Sequence, residues 1–129
     1  MIVLDTHIWL WWVNGDTVAL GEKRKEMIGA ADAAAVSAIS CFEVAWLQSH
    51  ARIELSCDRN SWFEKALQGS GITLIPITPE IAGRAVDLPE HHTDPQDRLI
   101  IATALTHEAQ LISSDRKFSL YKELGGRLF

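Results

Sequence analysis

The chain has 129 residues, the length of a single domain, and 47% of them are hydrophobic, which argues against intrinsic disorder. Its net charge of −5 argues by itself against nucleic-acid binding, which rests mainly on Lys and Arg. Cys41 and Cys57 are far apart and predict free thiols in a reducing cytoplasm. The longest apolar run, Ile8–Val13, is too short to span a bilayer. We therefore predict one cytoplasmic domain over residues 1–129, with no membrane partner.

Strand-like and helix-like segments alternate along the first half of the chain. The opening Ile2-Val3-Leu4 is a short, largely β-branched run that is typical of a strand. Gly15 marks the end of the first helical stretch, and Gly69 and Gly71 mark the end of the last. The pattern predicts strands over residues 2–4 and 34–38, and helices over residues 7–13, 21–31, 40–52 and 60–68.

The second half contains the clearest helix starts. Thr78-Pro79 and Asp94-Pro95 each place a capping side chain before a proline, an arrangement that typically begins a helix. Residues 72–77 are β-branched at most positions and predict a strand. The remaining pattern predicts helices over residues 79–88, 95–108 and 116–124, and strands over residues 111–113 and 127–129.

The alternation of strands and helices indicates how the elements assemble. Parallel strands need crossover connections, and helices between the strands supply them. The predicted strands are apolar runs, which is typical of strands that are buried on both faces. The sequence therefore predicts the α/β class, with a three-layer α/β/α sandwich around a mostly parallel sheet.

Four acidic residues fall where such a fold gathers functional side chains. Asp5 ends the first strand, and Asp115 follows a later one. Glu43 is expected in the first turn of the helix after the second strand, and Asp97 in the first turn of another helix. Ligands of open parallel sheets bind beyond the carboxyl ends of the strands. The four carboxylates are therefore the candidate site.

Each of these acids also has a local explanation as a helix-capping residue. Acidic side chains accept from free N–H groups at helix N-termini, which is worth about 1 kcal/mol each. Ser40 and Glu43 have the spacing of a capping box, and Asp94 with Asp97 nearly repeats it. Only the joint placement of the four acids favours a functional site.

A cluster of four carboxylates predicts a bound cation. A close pair of like charges repels by about 4 kcal/mol at intermediate dielectric, and a cation between them removes that cost. Oxygen ligands select hard ions such as Mg²⁺ or Mn²⁺. Metal sites of this kind perform phosphoryl chemistry, because the metal polarises the phosphate and lowers the pKa of a water molecule.

Four segments of the chain carry a family resemblance. They are Ile2-Val3-Leu4-Asp5-Thr6-His7, the helix start from Ser40 to Glu43, His92-Thr93-Asp94-Pro95-Gln96-Asp97-Arg98-Leu99, and Leu111-Ile112-Ser113-Ser114-Asp115. In order and spacing they resemble the PIN domain family, and specifically its VapC-type toxin nucleases. The match covers nearly the whole chain. Two positions depart from the family pattern, Gln96 where an aromatic residue is frequent and Ser113 where many relatives have Thr, and neither departure replaces one of the four acids.

The resemblance implies a five-stranded sheet in the order 3-2-1-4-5, which would bring the four acids together. It implies that Asp5 and Asp97 hold Mg²⁺, with Mn²⁺ as a substitute, while Glu43 and Asp115 assist through waters or a second metal. It implies a toxin endoribonuclease that cleaves RNA with a metal-activated water. It also implies a homodimer that a small cognate antitoxin protein holds inactive.

Several other polar residues have competing interpretations. Asp94 is expected to be an N-cap, and a supporting polar role in the site is the alternative. Arg98 is expected either to pair with an acid or to meet substrate phosphate. His91 and His92 suggest a metal site, but no further Cys or His stands at ligand spacing. We therefore interpret both histidines as exposed loop residues.

The helix predicted over residues 7–13 is apolar on every side. Such a helix is normally buried on more than one face, and the plain interpretation is a core helix. So short a helix at the edge of a small domain is difficult to cover completely. We therefore expect Trp11 or Leu10 to face a protein partner, since aromatic residues are enriched in interface cores.

Two other functions fit parts of the sequence. The first is a non-catalytic binding module that has the same fold and uses its acids only as caps. The second is a phosphate-ester hydrolase with Asp5 as the nucleophile. That enzyme would require a second aspartate two residues further on, where this chain has His7.

Overall fold

The computed structural model describes every residue from Met1 to Phe129. Its strands are β1 (Ile2–Leu4), β2 (Ala34–Ser37), β3 (Ile72–Ile75) and β4 (Gln110–Ile112). Its α-helices are α1 (Thr6–Asn14), α2 (Thr17–Leu20), α3 (Glu22–Ala30), α4 (Ala38–Ser49), α5 (Arg59–Ala66), α6 (Pro79–Asp87) and α7 (Pro95–Thr106). Short 3₁₀ helices lie at Gln68–Ser70, Arg116–Leu120 and Lys122–Arg127. None of the helices combines the length and the apolar composition that a membrane span requires.

The four strands form one parallel sheet in the order β3-β2-β1-β4. In the central strand β1, Val3 lies opposite Ala35 on one side and Leu111 on the other. Helices make the crossovers and cover both faces of the sheet, as parallel strands require. The predicted α/β class and three-layer arrangement are confirmed, and so is the order of these four strands.

The expected fifth strand at residues 127–129 is reduced to a single bridge. Leu128 pairs with Leu111 in parallel, on the outer side of β4. The Phe129 N–H donates to the Leu111 carbonyl at 2.8 Å, and the Ser113 N–H donates to the Phe129 carbonyl at 3.0 Å. The chain therefore runs where a fifth strand was predicted, but it forms only a single bridge there. The sheet has four strands instead of five.

Alternating side chains of the strands enter two separate cores. Val3, Ala35 and Leu111 belong to the core beneath α6, α7 and the C-terminal 3₁₀ helices. Leu4 and Val36 belong to the core beneath helices α1 to α5. Successive strand residues point to opposite faces, so apolar residues at consecutive positions supply both cores. This double burial fixes the positions of the strand ends that carry the candidate site.

Two predicted helices differ from the structure in ways that affect the site. The helix expected to begin at Ser40 begins at Ala38, because Ser37 is its N-cap and accepts from the Ile39 N–H at 3.3 Å. The α-helix expected over residues 116–124 is instead a pair of 3₁₀ helices. The first correction moves Glu43 from the first turn of its helix into the second.

The apolar residues of α1 divide into buried and half-buried positions. Trp9 is fully buried, donates its ring N–H to the Ala66 carbonyl at 3.0 Å, and packs edge-on against Trp62. Leu10 is buried too, so the expectation that it faces a partner is wrong. The Trp11 side chain is only half-buried. Its contact with a partner stays a prediction.

Candidate active site

Asp5 lies directly after β1 and is the most buried of the four acids. It is the N-cap of α1, and its Oδ1 accepts from the Thr6 N–H at 2.8 Å. Its Oδ2 accepts from the Ser113 hydroxyl at 2.7 Å. Burial raises the pKa of this carboxyl, although both hydrogen bonds act in the opposite direction. Asp5 is 6% exposed. The Thr6 backbone and the Ser113 side chain fix the positions of its two carboxylate oxygens.

Ser113 joins Asp5 to Asp115 across the ends of two neighbouring strands. While its hydroxyl donates to Asp5, it also accepts from the Asp115 N–H at 3.0 Å. Asp115 is the N-cap of the following 3₁₀ helix, where its Oδ1 accepts from the Lys117 N–H at 2.9 Å. Partial burial alone would raise the pKa of Asp115. Its hydrogen bonds with His92 and the Lys117 N–H outweigh burial and lower that pKa.

Asp97 projects from the first turn of α7 toward the same place. Burial raises the pKa of Asp97 to about 7, and the charges of Asp5 and Asp94 add to the effect. Asp94 is the N-cap of α7, and its Oδ1 accepts from the Gln96 N–H at 2.9 Å. The predicted capping role of Asp94 is confirmed. Because its charge also acts on Asp97 and Glu43, Asp94 contributes to the electrostatics of the site as well.

Glu43 does not belong to a capping box, so that interpretation of the sequence is wrong. Ser37 caps the helix, and Ser40 is a buried residue whose hydroxyl oxygen accepts from the Thr6 hydroxyl at 2.9 Å. Glu43 Oε2 is buried and has no hydrogen-bond partner. Burial raises the pKa of Glu43 from its usual 4.5 to about 7, and the charge of Asp5 adds to the effect. The nearby Thr6 hydroxyl acts in the opposite direction on that pKa, but its hydrogen is donated to Ser40, which leaves Oε2 without a donor. Capping therefore does not explain why an acid stands at this position.

The fold brings the four predicted acids to one edge of the sheet, where they affect one another electrostatically. The charge of Asp5 raises the pKa of both Glu43 and Asp97, and the charge of Asp115 raises that of Asp5. No Lys or Arg side chain forms an ion pair with any of the four. A buried carboxylate oxygen without a donor is costly unless a cation satisfies it. The orphaned Glu43 oxygen and this all-oxygen acid set fit a hard divalent cation.

His92 is the site residue that the sequence interpretation missed. It was expected to be exposed, yet it is only 8% exposed. Its Nε2 lies 2.9 Å from Asp97 Oδ2 and 3.0 Å from Asp115 Oδ2. His91, by contrast, is exposed as predicted. The sequence offered one indication of this role: His92 lies two residues before Asp94, the N-cap of the helix that carries Asp97.

Arg98 pairs with no acid, so that expected role is wrong, and its contact with substrate phosphate stays a prediction. Its guanidinium donates to four backbone carbonyls at 2.7–3.2 Å, those of Val86, Leu88, Pro89 and His92. These bonds satisfy carbonyls at the C-terminal end of α6 and in the loop that follows it. Arg98 therefore fixes the backbone that carries His92 and contacts no acid.

The chain is similar to several known proteins. A family model described as PIN domain matches residues 2–124. Ribonuclease VapC22 of Mycobacterium tuberculosis (strain ATCC 25618 / H37Rv) is 37% identical over 122 residues, which cover 94% of this chain and 92% of that protein.

Solved structures resemble the chain over its full length. VapBC2 from Rickettsia felis, bound to a DNA fragment from its promoter, matches with a TM-score of 0.70 and 20% identity, covering 100% of this chain and 98% of that one. A toxin-antitoxin complex from Klebsiella pneumoniae matches with a TM-score of 0.64 and 24% identity, covering 100% and 96%. At these identities the solved structures support the fold alone.

The metal-free protein should lose stability as the pH rises from about 5 to about 8. Glu43 and Asp97 have pKa values raised to about 7, so the folded state keeps protons that the unfolded chain releases nearer pH 4. The stability that these protons add to the folded state is complete below the pKa values of the unfolded chain. It is lost as the pH rises past the pKa values of about 7 in the folded state. Asp115, whose pKa is lowered, titrates below this range. Thermal unfolding midpoints in chelator should fall by a few degrees across the range.

Glu43→Gln provides the matched comparison for this pH dependence. The substitution removes one of the two titrating groups with little change in shape, so the midpoint should fall less steeply with pH than in the wild type. A midpoint that rises between about pH 5 and about pH 8 in chelator would show that these carboxyls do not have raised pKa values.

Arg98→Lys should destabilise the protein by about 2 kcal/mol, because an ammonium group cannot reach four diverging carbonyls and charged hydrogen bonds are lost. The measurement is the free energy of unfolding in urea. Arg84→Lys, at an exposed position of α6, is the matched control and should change that free energy by less than about 0.5 kcal/mol. Equal effects of the two substitutions would mean that the carbonyl contacts of Arg98 contribute little.

Proposed function

This chain belongs to the PIN domain family, and we propose that it is a divalent-metal-dependent endoribonuclease that acts as the toxin of a toxin–antitoxin pair. The observation that carries the proposal is the gathering of the buried Asp5 with the part-buried Glu43, Asp97 and Asp115, in which the buried Glu43 Oε2 has no partner. The name of the relative Ribonuclease VapC22 supports RNA as the substrate. A cap-only role for the acids does not account for Glu43.

We assign the main metal-holding role to Asp5 and Asp97, with Glu43 and Asp115 in secondary roles. Mg²⁺ suits this set of oxygen ligands, and Mn²⁺ is a substitute. When bound, such a cation supplies Lewis-acid polarisation of a phosphodiester and lowers the pKa of a water molecule. Thr6 and Ser113 hold the Asp5 carboxylate through hydrogen bonds at 2.8 and 2.7 Å, which keeps its orientation fixed.

Protons held by the cluster provide a link between pH and metal binding. In the absence of metal, Glu43 and Asp97 have pKa values of about 7 and keep part of their protons near neutral pH. Carboxylates bind metal in the deprotonated form, so binding releases these protons and weakens as the pH falls. Activity at a fixed metal concentration should therefore increase through neutral pH.

The net charge of −5 argues against RNA binding, but basic residues at the rim of the site weaken that argument. Arg24 reaches from α3 to the Ser113 carbonyl at 3.4 Å, beside the end of β4. Arg116 and Lys117 immediately follow Asp115. These cations lie next to Ser113 and Asp115, where they can receive phosphates of a bound RNA. The local charge at the rim supports RNA binding better than the total charge does.

We further propose a homodimer and a small antitoxin partner. Apolar side chains are exposed on two helices that both pack on α7: Phe42 (57%) and Trp46 (42%) on α4, and Val86 (77%) on α6. These exposed apolar side chains support contact with a second copy of the chain. The half-buried Trp11 on α1 supports contact with the antitoxin. The toxin-antitoxin complexes among the structural neighbours support this kind of partner.

Sedimentation analysis tests both partner proposals. The chain alone should sediment at twice its mass of 14.4 kDa, and Trp46→Glu should give monomers because a charge would be buried at the interface. The antitoxin candidate is the product of any short reading frame found next to the gene for this chain; adding it should give a larger complex, which Trp11→Glu should weaken. A wild-type monomer at micromolar concentration contradicts the homodimer, and absence of such a frame or failure to bind its product contradicts the antitoxin proposal.

The ribonuclease proposal predicts RNA cleavage that requires the acid cluster. With Mg²⁺ and an unstructured RNA, Asp5→Asn and Asp97→Asn should each lower the rate by at least about a hundredfold, because several kcal/mol of charge stabilisation are lost. Asp32→Asn is the matched control, since Asp32 is exposed and lies just before β2, at the opposite end of the strands. Gel analysis of end-labelled RNA measures the rates. Full activity in either site variant contradicts the mechanism.

A metal titration separates this enzyme from a non-catalytic module with the same fold. A cation that binds only the folded state raises the thermal unfolding midpoint. Millimolar Mg²⁺ should therefore raise the midpoint of the wild type and should raise that of Asp5→Asn much less. An unchanged wild-type midpoint favours the non-catalytic module.

A further inference from the structure

One ring nitrogen meets two carboxylates at the site. His92 Nε2 lies 2.9 Å from Asp97 Oδ2 and 3.0 Å from Asp115 Oδ2. These three atoms all lie within 4.8 Å of one another. A ring nitrogen carries either one hydrogen or one lone pair, so it can form only one well-directed hydrogen bond. One of the two carboxylates therefore lies close to the ring nitrogen without receiving a well-directed hydrogen bond from it.

A cation among the three atoms would satisfy each of them. Mg²⁺ and divalent ions of similar size lie about 2.1 Å from their ligand atoms, so two ligand atoms at right angles about the ion lie about 3.0 Å from each other. The two nitrogen–oxygen distances match that spacing. Each atom would then direct one lone pair at the cation, and no donor would be shared between two acceptors.

The surrounding residues hold His92 in this position. Its backbone N–H donates to the Tyr121 hydroxyl at 2.9 Å, and its carbonyl accepts from Arg98 at 3.2 Å. Its ring packs edge-on against Phe118, with ring centroids 5.9 Å apart. Both aromatic residues are buried. A ligand whose backbone and ring are fixed in this way meets the usual requirement for a preorganised metal site.

We propose that His92, Asp97 and Asp115 form a cation subsite with one nitrogen ligand, which binds a first-row transition cation such as Mn²⁺ in preference to Mg²⁺. This inference deepens the proposed function, since it rests on the acid cluster binding a divalent cation. Mg²⁺ sites in proteins are built from oxygen ligands and retained waters, whereas imidazole is a ligand of transition ions. The nitrogen therefore gives the subsite a selectivity that four carboxylates alone would lack.

Pulsed electron paramagnetic resonance of the full chain with Mn²⁺ tests the ligand directly. A coordinated imidazole nitrogen modulates the Mn²⁺ spin echo, so the wild type should show ¹⁴N modulation. His92→Gln should remove it, and His91→Gln, at the exposed neighbouring position, should retain it. The Mn²⁺ dissociation constant of His92→Gln should rise by about tenfold or more, and the Mg²⁺ constant should change much less.

A second variant leaves His92, Asp97 and Asp115 unchanged. The chain has five histidines, and the other four, His7, His50, His91 and His107, are all exposed. Replacing these four with Gln leaves His92 as the only histidine, and the modulation should persist. Its loss would overturn the proposal even if His92→Gln failed to fold.

The outcomes separate this inference from the proposed function. Mn²⁺ binding without ¹⁴N modulation in the wild type would overturn the nitrogen ligand and leave a metal-dependent nuclease with oxygen ligands. Modulation that persists in His92→Gln would do the same. Absence of Mn²⁺ binding would overturn both the subsite and the metal dependence of the proposed function.

Discussion

Burial of several carboxylates at one edge of a parallel sheet is the constraint on which the rest of this structure depends. Two unit charges about 4 Å apart repel by about 4 kcal/mol at intermediate dielectric, and burial adds the cost of lost hydration. Without a cation, Glu43 and Asp97 respond through pKa values raised to about 7. Asp5 instead gains hydrogen bonds from Thr6 and Ser113. The fold tolerates this concentration of charge because its two apolar cores stabilise the strand ends independently of the site.

The supports of the site come from elements that are distant in the sequence. Ser113 couples the end of β4 to Asp5, across 108 positions. Tyr121 holds the His92 backbone across 29 positions, and Arg98 holds the same loop from α7. The Ser113 and Tyr121 bonds exist only after elements distant in the sequence have packed together, whereas the Arg98 bond spans six positions. The geometry of the acids therefore depends on complete folding, although each acid begins or follows a local element.

These distances explain which features could be predicted from the sequence. Caps at Thr78 and Asp94 follow from short-range rules, since a side chain and an N–H two or three residues away decide them. The start of α4 offered two serines, Ser37 and Ser40, and the Thr6 hydroxyl engages Ser40 from 34 positions away. The burial of His92 likewise depends on Tyr121. Local patterns could not resolve either case, because the deciding partner lies in an element that is distant in the sequence.

Charge also determines how metal and substrate depend on each other in a nuclease of the proposed kind. Metal-free carboxylates repel phosphate, whereas a bound cation reverses the local sign and attracts it. Metal occupancy and RNA affinity are therefore coupled, and coupling between two ligands is reciprocal at equilibrium, so RNA must tighten the binding of the cation. In such a nuclease the rim cations Arg24 and Lys117 would act on phosphate directly and would not need this coupling. The net charge of the chain is thus a weak argument against the proposed RNA substrate, because a bound metal would neutralise the charges that oppose it.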